Sequence, residues 1–178
     1  SKGNEYILTV MDGFTKWAEA FPIRNHTAPA VARVLVQQVF TRFGTPRRIL
    51  TDRGSEFESD LFREICRWFE IDKVRTTAYQ PTTNGMLERF HRTLNAMLGK
   101  VVGENQKDWD ERVPLVLSAY RASVHESTGY SPNFLMFLHE NRAPLDLVLR
   151  PPSNEEDNHT SYDDFVATAQ SRARDAFD

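Results

Sequence analysis

The chain has 178 residues, of which 40% are hydrophobic and 26% are charged, and its formal net charge is −3. This composition is typical of a globular domain with a buried core, and no apolar run is long enough to cross a membrane. The single cysteine, Cys66, excludes an internal disulfide, and the five scattered histidines lack the spacing of a zinc site. The N-terminal residues do not resemble a signal peptide, so we expect a reducing compartment.

The charge is distributed unevenly along the chain. Residues 1–103 hold 15 Lys and Arg against 11 Asp and Glu, whereas residues 104–178 hold 7 against 14. The overall charge therefore gives no signature of nucleic-acid binding, and that function would have to rest on the basic N-terminal part. Charge alone equally fits two ordinary solvated surfaces.

The hydrophobic pattern predicts alternating strands and helices, which indicates an α/β fold with a mixed central sheet flanked by helices. Strands are expected at 6–11, 16–23, 47–51 and 73–76, and helices at 27–43, 60–68, 84–101, 109–125, 131–138 and 161–178. The polar segment Thr77–Thr83 contains Pro81 and is expected to be a loop. Because residues 151–157 resemble a linker, we expect one domain over 1–150, then a linker and a candidate C-terminal helix over 151–178.

Two acidic residues occupy positions that suit catalysis. Asp52 ends a predicted strand, and Glu88 lies in the first turns of the long helix, opposite the apolar residues Leu87 and Phe90. Mg²⁺ and Mn²⁺ prefer carboxylate oxygens, and two ions about 4 Å apart can clamp both reacting oxygens of a phosphodiester displacement. The structural alternatives are a turn-forming role for Asp52 and a helix-dipole interaction for Glu88. Residue type and position alone leave these alternatives open.

The segments around the two acids resemble a known family. Thr51–Phe57 and Tyr79–Arg89 are similar to the last two acidic motifs of integrases with a DDE triad, and 35 residues separate the two acids, as in that family. Residues 6–17, 109–121 and 125–132 further resemble integrases of gypsy-type LTR retrotransposons. The resemblance covers residues 4–150.

The resemblance implies an RNase H-like fold and an integrase-type polynucleotidyl transferase. Water would first trim the 3′ ends of the retroelement DNA, and the resulting 3′-hydroxyl would attack target DNA. Asp52 and Glu88 would be the catalytic residues and the ligands of a two-ion Mg²⁺ or Mn²⁺ site. The implied partners are retroelement and target DNA and further copies of the chain, without a membrane, and the implied location is the nucleus after a cytoplasmic phase.

The chain departs from the family pattern at the first catalytic Asp. In the family this residue lies on a strand before the one expected at Tyr6–Met11, and no residue of this chain corresponds to it. Asp12, beside Gly13, is interpreted as a turn residue instead. We therefore expect these 178 residues to be inactive alone, and the first strand of the fold to be missing from them. The alternative is a domesticated or fragmentary descendant that binds DNA or protein without catalysis.

A third interpretation, a relative that hydrolyses RNA in hybrids, shares the fold and the metals. The arrangement Asn84-Gly85-x-x-Glu88 disfavours it, by resemblance only. Candidate DNA contacts surround the acids: Lys16, Arg53, Asn84, His91 and Arg92. Arg92 lies one turn after Glu88, where a cation can hold a phosphate beside the metals. An internal Glu88–Arg92 ion pair on a solvated surface is the structural alternative.

Self-association is expected to involve the helices at 27–43 and 109–125. Phe40, Trp109 and Tyr120 are candidate anchors, because aromatic residues dominate interface energetics. Burial in the core of the chain itself is the alternative for each of them.

Overall fold

The computed structural model describes residues 2–75, 81–103, 107–141 and 162–177, and their elements follow the expected order. The strands are β1 (Tyr6–Met11), β2 (Ala18–Ile23), β3 (Arg48–Thr51) and β4 (Asp72–Arg75). The helices are α1 (Ala28–Val34), α2 (Thr41–Phe43), α3 (Asp60–Trp68), α4 (Pro81–Val101), α5 (Trp109–Ala122), α6 (Pro132–Phe137) and α7 (Tyr162–Phe177). A π-helical segment, Leu35–Phe40, joins α1 to α2. No described helix combines the length and hydropathy required to span a membrane.

The strands form two separate pairs. β1 pairs with β2, and β3 runs parallel to β4, with Arg48 opposite Asp72 and Thr51 opposite Arg75. The α/β class is as expected, but the single mixed sheet is not found among the described residues. A sheet is continuous only where neighbouring strands share a hydrogen-bond ladder, and no described strand joins the two pairs. In this part of the chain, β1 and β3 therefore each pair along one edge only.

The first of two compact units comprises residues 1–10 and 19–117, and it contains a hydrophobic core. Strands β1 and β2, helices α1 and α3, the π-helical segment and the residue before β4 supply this core: Leu8, Ile23, Val31, Leu35, Val39, Phe40, Phe62, Cys66 and Ile71. The ring of Phe40 contacts Phe69 edge to face at 5.4 Å between centroids. The interpretation of Phe40 as an interface anchor is therefore wrong, because its side chain is buried and has no surface to offer a partner.

Helix α4 begins earlier than expected. Phe90, Leu94 and Leu98 form its buried side, as the apolar spacing predicts. Its first residue is Pro81, within the segment expected to be a loop. Proline suits the first turn of a helix, because an amide hydrogen at that position has no partner within the helix. The loop prediction is thus wrong for residues 81–83, and residues 76–80 lie outside the described part of the chain.

The second compact unit comprises residues 11–18 and 118–178. The guanidinium of Arg121 lies 4.1 Å from the ring centroid of Trp17, and its Nε and Nη2 donate to the Ala18 carbonyl at 2.9 and 2.6 Å. The hydroxyl of Tyr120 donates to the Lys16 carbonyl at 3.2 Å, and burial raises the pKa of Tyr120 to about 12. These contacts fix the turn of the β1–β2 hairpin. The expected domain boundary near residue 150 stays a prediction, since residues 142–161 lie outside the described residues.

Candidate functional site

Asp52 directly follows β3, where the parallel pair ends. Its side chain is exposed, and Oδ1 accepts a hydrogen bond from the Gly54 amide at 2.9 Å. The Gly54 carbonyl in turn accepts the amides of Phe57 and Glu58 at 3.0 and 3.1 Å. Asp52 thus forms the turn that was considered as its structural role. This bond engages one of two carboxylate oxygens, so it does not exclude a second role as a metal ligand.

Further polar contacts of its side chains stabilise the β3–α3 loop (residues 52–59). The hydroxyl of Ser59 donates to the Glu56 carbonyl at 2.8 Å and accepts the first-turn amide of α3 at 3.1 Å, which caps that helix. The Glu56 carboxylate lies 3.5 Å from Nδ1 of His26. A Cβ at Gly54 would lie 2.9 Å from the Glu56 carboxylate. Glycine at this position therefore permits the Glu56 carboxylate to pack against the backbone of the loop.

Glu88 lies exposed on α4, and His91 follows it by one turn. His91 Nε2 and Thr9 Oγ1 of β1 are hydrogen-bonded at 2.6 Å. Burial lowers the pKa of His91, and the negative charges of Asp52 and Glu88 oppose that shift. Because both carboxylates act on one imidazole, the fold brings Asp52 and Glu88 into the same region of the first unit.

The described residues supply only part of a metal site. Asp52 and Glu88 offer the oxygen donors that Mg²⁺ and Mn²⁺ prefer. No group of three or more His, Cys, Asp or Glu side chains in the described ranges is arranged to hold a metal ion. Two carboxylates fit the chemistry of these ions, because Mg²⁺ is usually bound through one or two carboxylates, with water and phosphate oxygens as its other ligands.

The candidate DNA contacts differ in their surroundings. Arg53 and Arg92 are exposed, and the salt bridges of the described residues include none between Arg92 and Glu88. The internal ion pair considered for Arg92 is therefore not formed. In the second unit, Lys16 adopts a left-handed backbone conformation with φ of 62°, and its ammonium donates to the Gly13 carbonyl. The side chain of Asn84 lies outside the described residues.

Asp12 is confirmed as a turn residue. Its Oδ2 accepts the Thr15 amide at 2.7 Å and the Thr15 hydroxyl at 2.8 Å. Such bonds are typical of aspartate in a tight turn and give no indication of a catalytic role.

Two features of the first unit were not predicted from the sequence. Lys73 and Arg75 of β4 both pair with Glu58 of the β3–α3 loop, and no periodicity reveals a contact across 15 residues of sequence. The second feature is an apolar stripe on α3 around a pocket of about 250 Å³: Leu61, Ile65, Trp68 and Phe69. Trp68 is 84% exposed. Apolar residues on both faces of α3 were the available signal for this stripe.

The N-terminal part of the chain matches a known protein family, and longer stretches of the chain are similar to parts of several polyproteins. Residues 1–81 match the family described as integrase core domain. The chain is 36% identical over 121 residues to the Pol polyprotein of Radiation murine leukemia virus (strain Kaplan), and 34% identical over 157 residues to the Gag-Pol polyprotein of Baboon endogenous virus (strain M7). It is 29% identical over 135 residues to the retrovirus-related Pol polyprotein from transposon 412 of Drosophila melanogaster.

The matched regions are small parts of these relatives. The match to the Radiation murine leukemia virus polyprotein covers 67% of this chain and 20% of that polyprotein. The match to the Baboon endogenous virus polyprotein covers 86% of this chain and 9% of that polyprotein. For transposon 412 the two values are 76% and 11%. Most of the length of each polyprotein therefore lies outside the matched region.

Solved structures show the fold. The HTLV-2 integrase catalytic core domain in complex with magnesium, in its trimeric form, matches with a TM-score of 0.59 and 20% identity. The match covers 71% of this chain and 80% of that chain. The dimeric form of the same domain gives a TM-score of 0.58. The chain accordingly has the α/β, RNase H-like fold of an integrase catalytic core.

Proposed function

Because the chain belongs to the integrase core domain family, we propose that it takes part in DNA integration by metal-dependent phosphodiester transfer. The observation that carries this proposal is the common environment of Asp52 and Glu88 around His91. Two exposed carboxylates in one region suit a divalent cation, whereas their turn and helix-dipole roles alone do not require them to be close.

Each residue of this region has a role in the proposed reaction. Asp52 and Glu88 would hold Mg²⁺ or Mn²⁺, which polarises the phosphodiester and lowers the pKa of an attacking hydroxyl group when bound. Arg53 and Arg92 would bind the phosphates of retroelement and target DNA. His91 keeps its neutral form to a lower pH than a solvated histidine, because burial lowers its pKa. A neutral imidazole leaves the charge of the two carboxylates available for a cation.

We expect a longer chain to supply the third carboxylate ligand, from a strand that precedes β1. Two observations support this expectation. β1 and β3 each have one edge without a strand partner among the described residues. The hydroxyl of Thr51, immediately before Asp52, is buried and has no hydrogen-bond partner in the described part of the chain. A buried polar group of this kind is costly unless another segment satisfies it.

The proposed function is tested by a strand-transfer assay with Mg²⁺ on the 178-residue chain and on a version extended by the upstream strand with its Asp. We expect activity only in the extended protein. Asp52→Asn and Glu88→Gln should lower that activity by about a hundredfold or more, as expected when charge stabilisation at the reacting group is lost. Asp12→Asn is the matched control, since Asp12 only forms a turn.

Two results would count against this function. Full activity of the extended Glu88→Gln protein would contradict the proposed mechanism, in which Glu88 binds the metal ion. An inactive extended protein that still binds DNA would favour the alternative, a descendant that binds nucleic acid without catalysis.

We also propose that the chain self-associates and works in the nucleus after a cytoplasmic phase. The exposed α3 stripe supports self-association, because neighbouring apolar side chains exposed on one surface can bury themselves against a second copy of the chain. The two solved relatives, dimeric and trimeric forms of one domain, also support it. Sedimentation at high protein concentration tests it: Trp68→Ala should shift the chain toward monomer, and a wild-type monomer would contradict it.

A further inference from the structure

Lys73 is a nearly buried cation in the middle of β4. Its side chain is 12% exposed, and Nζ donates to the Phe57 carbonyl at 2.5 Å and to Oε1 of Glu58 at 2.8 Å. The ammonium also lies 5.6 Å from the ring centroid of Phe62. Removing a charge from water is costly unless it is paired and hydrogen-bonded. All of the partners that stabilise this ammonium lie in the segment that follows Asp52.

Glu58 is held through both of its carboxylate oxygens. Oε2 forms an ion pair with Nη2 of Arg75 at 2.6 Å, while Oε1 accepts a hydrogen bond from Lys73. Lys73 and Arg75 are two residues apart on β4, so both side chains project from the same face of the strand. The hydrogen bond from Lys73 is the largest cause that lowers the pKa of Glu58, which keeps this carboxylate ionised. We name Glu58, Lys73 and Arg75 the β4 clamp.

The β4 clamp acts at the end of the strand pair that presents Asp52. Thr51 lies opposite Arg75 in the parallel ladder, so Asp52 and the clamp leave the sheet at the same edge. The clamp binds the loop at residues 57 and 58, and the amides of these same residues bond to the Gly54 carbonyl. The Gly54 amide in turn binds the Asp52 carboxylate at 2.9 Å. A continuous series of bonds therefore links β4 to the Asp52 side chain.

From this series of contacts we propose that Lys73, with Arg75 and Glu58, is a positioning residue that fixes the orientation of the Asp52 carboxylate for phosphodiester transfer. The inference rests on the proposed function and extends it to residues outside the pair of candidate metal ligands. Groups that orient a metal ligand typically change metal affinity or activity by about 10–100-fold when they are removed. The competing explanation is that the clamp merely stabilises the fold.

The same strand pair offers a matched control. At the opposite end of the ladder, Arg48 Nε of β3 binds Asp72 Oδ2 of β4 at 2.8 Å. This ion pair joins β3 to β4 and makes no contact with the β3–α3 loop, whereas the ion pair of Lys73 joins β4 to that loop. Arg48→Met should therefore report the loss of an ion pair to β4, and Lys73→Met should report the loss of such a pair together with release of the loop.

Two measurements test the inference. In the 178-residue chain, amide hydrogen exchange of residues 54–58 should accelerate about tenfold in Lys73→Met and change little in Arg48→Met. In the extended protein, the Mg²⁺ concentration for half-maximal strand transfer should rise about 10–100-fold in Lys73→Met, with an unchanged KM for DNA. Lys73→Arg should recover part of both effects. Glu58→Gln, an isosteric change at a partly exposed side chain, provides a second variant if Lys73→Met does not fold.

The outcomes separate this inference from the proposed function. Wild-type amide exchange in Lys73→Met and Glu58→Gln would overturn the clamp, whatever the assay shows. Accelerated exchange together with an unchanged Mg²⁺ requirement would also overturn it, because the loop would then move without affecting Asp52. A wild-type extended protein without Mg²⁺-dependent activity would instead contradict the proposed function itself.

Discussion

The two acidic residues of the proposed site are held in different ways. Asp52 lies on a loop that is fixed by polar contacts: an Asx turn, the Ser59 cap and the β4 clamp. Glu88 lies on a regular helix that is fixed by burial of Phe90, Leu94 and Leu98 on its opposite face. One turn after Glu88, His91 forms a hydrogen bond with Thr9 of β1.

This difference matters for how each carboxylate responds to change. Burying a large apolar side chain contributes about 1.5–3 kcal/mol, whereas a typical hydrogen bond contributes about 0.5–1.5 kcal/mol. The position of Glu88 should therefore depend on the stability of the whole fold. The position of Asp52 should depend on local contacts that open without global unfolding. The three predictions that follow test this contrast.

Phe90→Ala has the largest expected effect. Phe90 is 3% exposed, and truncating a buried phenylalanine typically lowers the free energy of unfolding by about 3–5 kcal/mol. Urea denaturation measures this loss. Glu88→Gln, two residues away on the exposed face, is the control and should change stability by less than about 0.5 kcal/mol. Equal losses in both variants would show that α4 is not held by its apolar face.

Ser59→Ala should have a smaller effect. It removes the hydroxyl that caps α3, which should lower the free energy of unfolding by about 1 kcal/mol. Amide exchange in the β3–α3 loop should accelerate, while exchange in α4 should not change. Ser55→Ala in the same loop is the control, because its hydroxyl makes only a long contact of 3.5 Å with Glu56. Acceleration along α4 in Ser59→Ala would contradict independent anchoring of the two carboxylates.

The smallest expected effect is a pH dependence of the free energy of unfolding that arises from His91. Burial lowers the pKa of His91 in the folded chain, despite the opposing charges of Asp52 and Glu88. As the pH falls below about 6.5, the unfolded chain therefore binds the proton more readily than the folded chain, and stability decreases. We expect the wild type to lose more stability between pH 7.5 and roughly 5.5 than His91→Gln does. Identical pH profiles in urea denaturation would contradict the assigned environment.

The sequence predicted the order of the elements, the place of Asp52 at the end of a strand and the place of Glu88 on the polar face of α4. Strand β1 and helix α3 occupy the expected residues, because apolar periodicity and flanking turn residues mark such elements directly. The β4 clamp was not predictable, because the pairing of Glu58 with Lys73 depends on the parallel register of β3 and β4. The π-helical segment Leu35–Phe40 was likewise missed, since its apolar spacing resembles that of an ordinary α-helix.

The measurement that tests the central claim most directly is a crystal structure of the extended protein with Mn²⁺, in which anomalous scattering locates the ions. We predict an ion bound by carboxylate oxygens of both Asp52 and Glu88, with the upstream Asp completing the set. If the two carboxylates instead lie more than about 10 Å apart with no ion between them, they cannot share a two-ion site that spans only about 4 Å, and the account is contradicted.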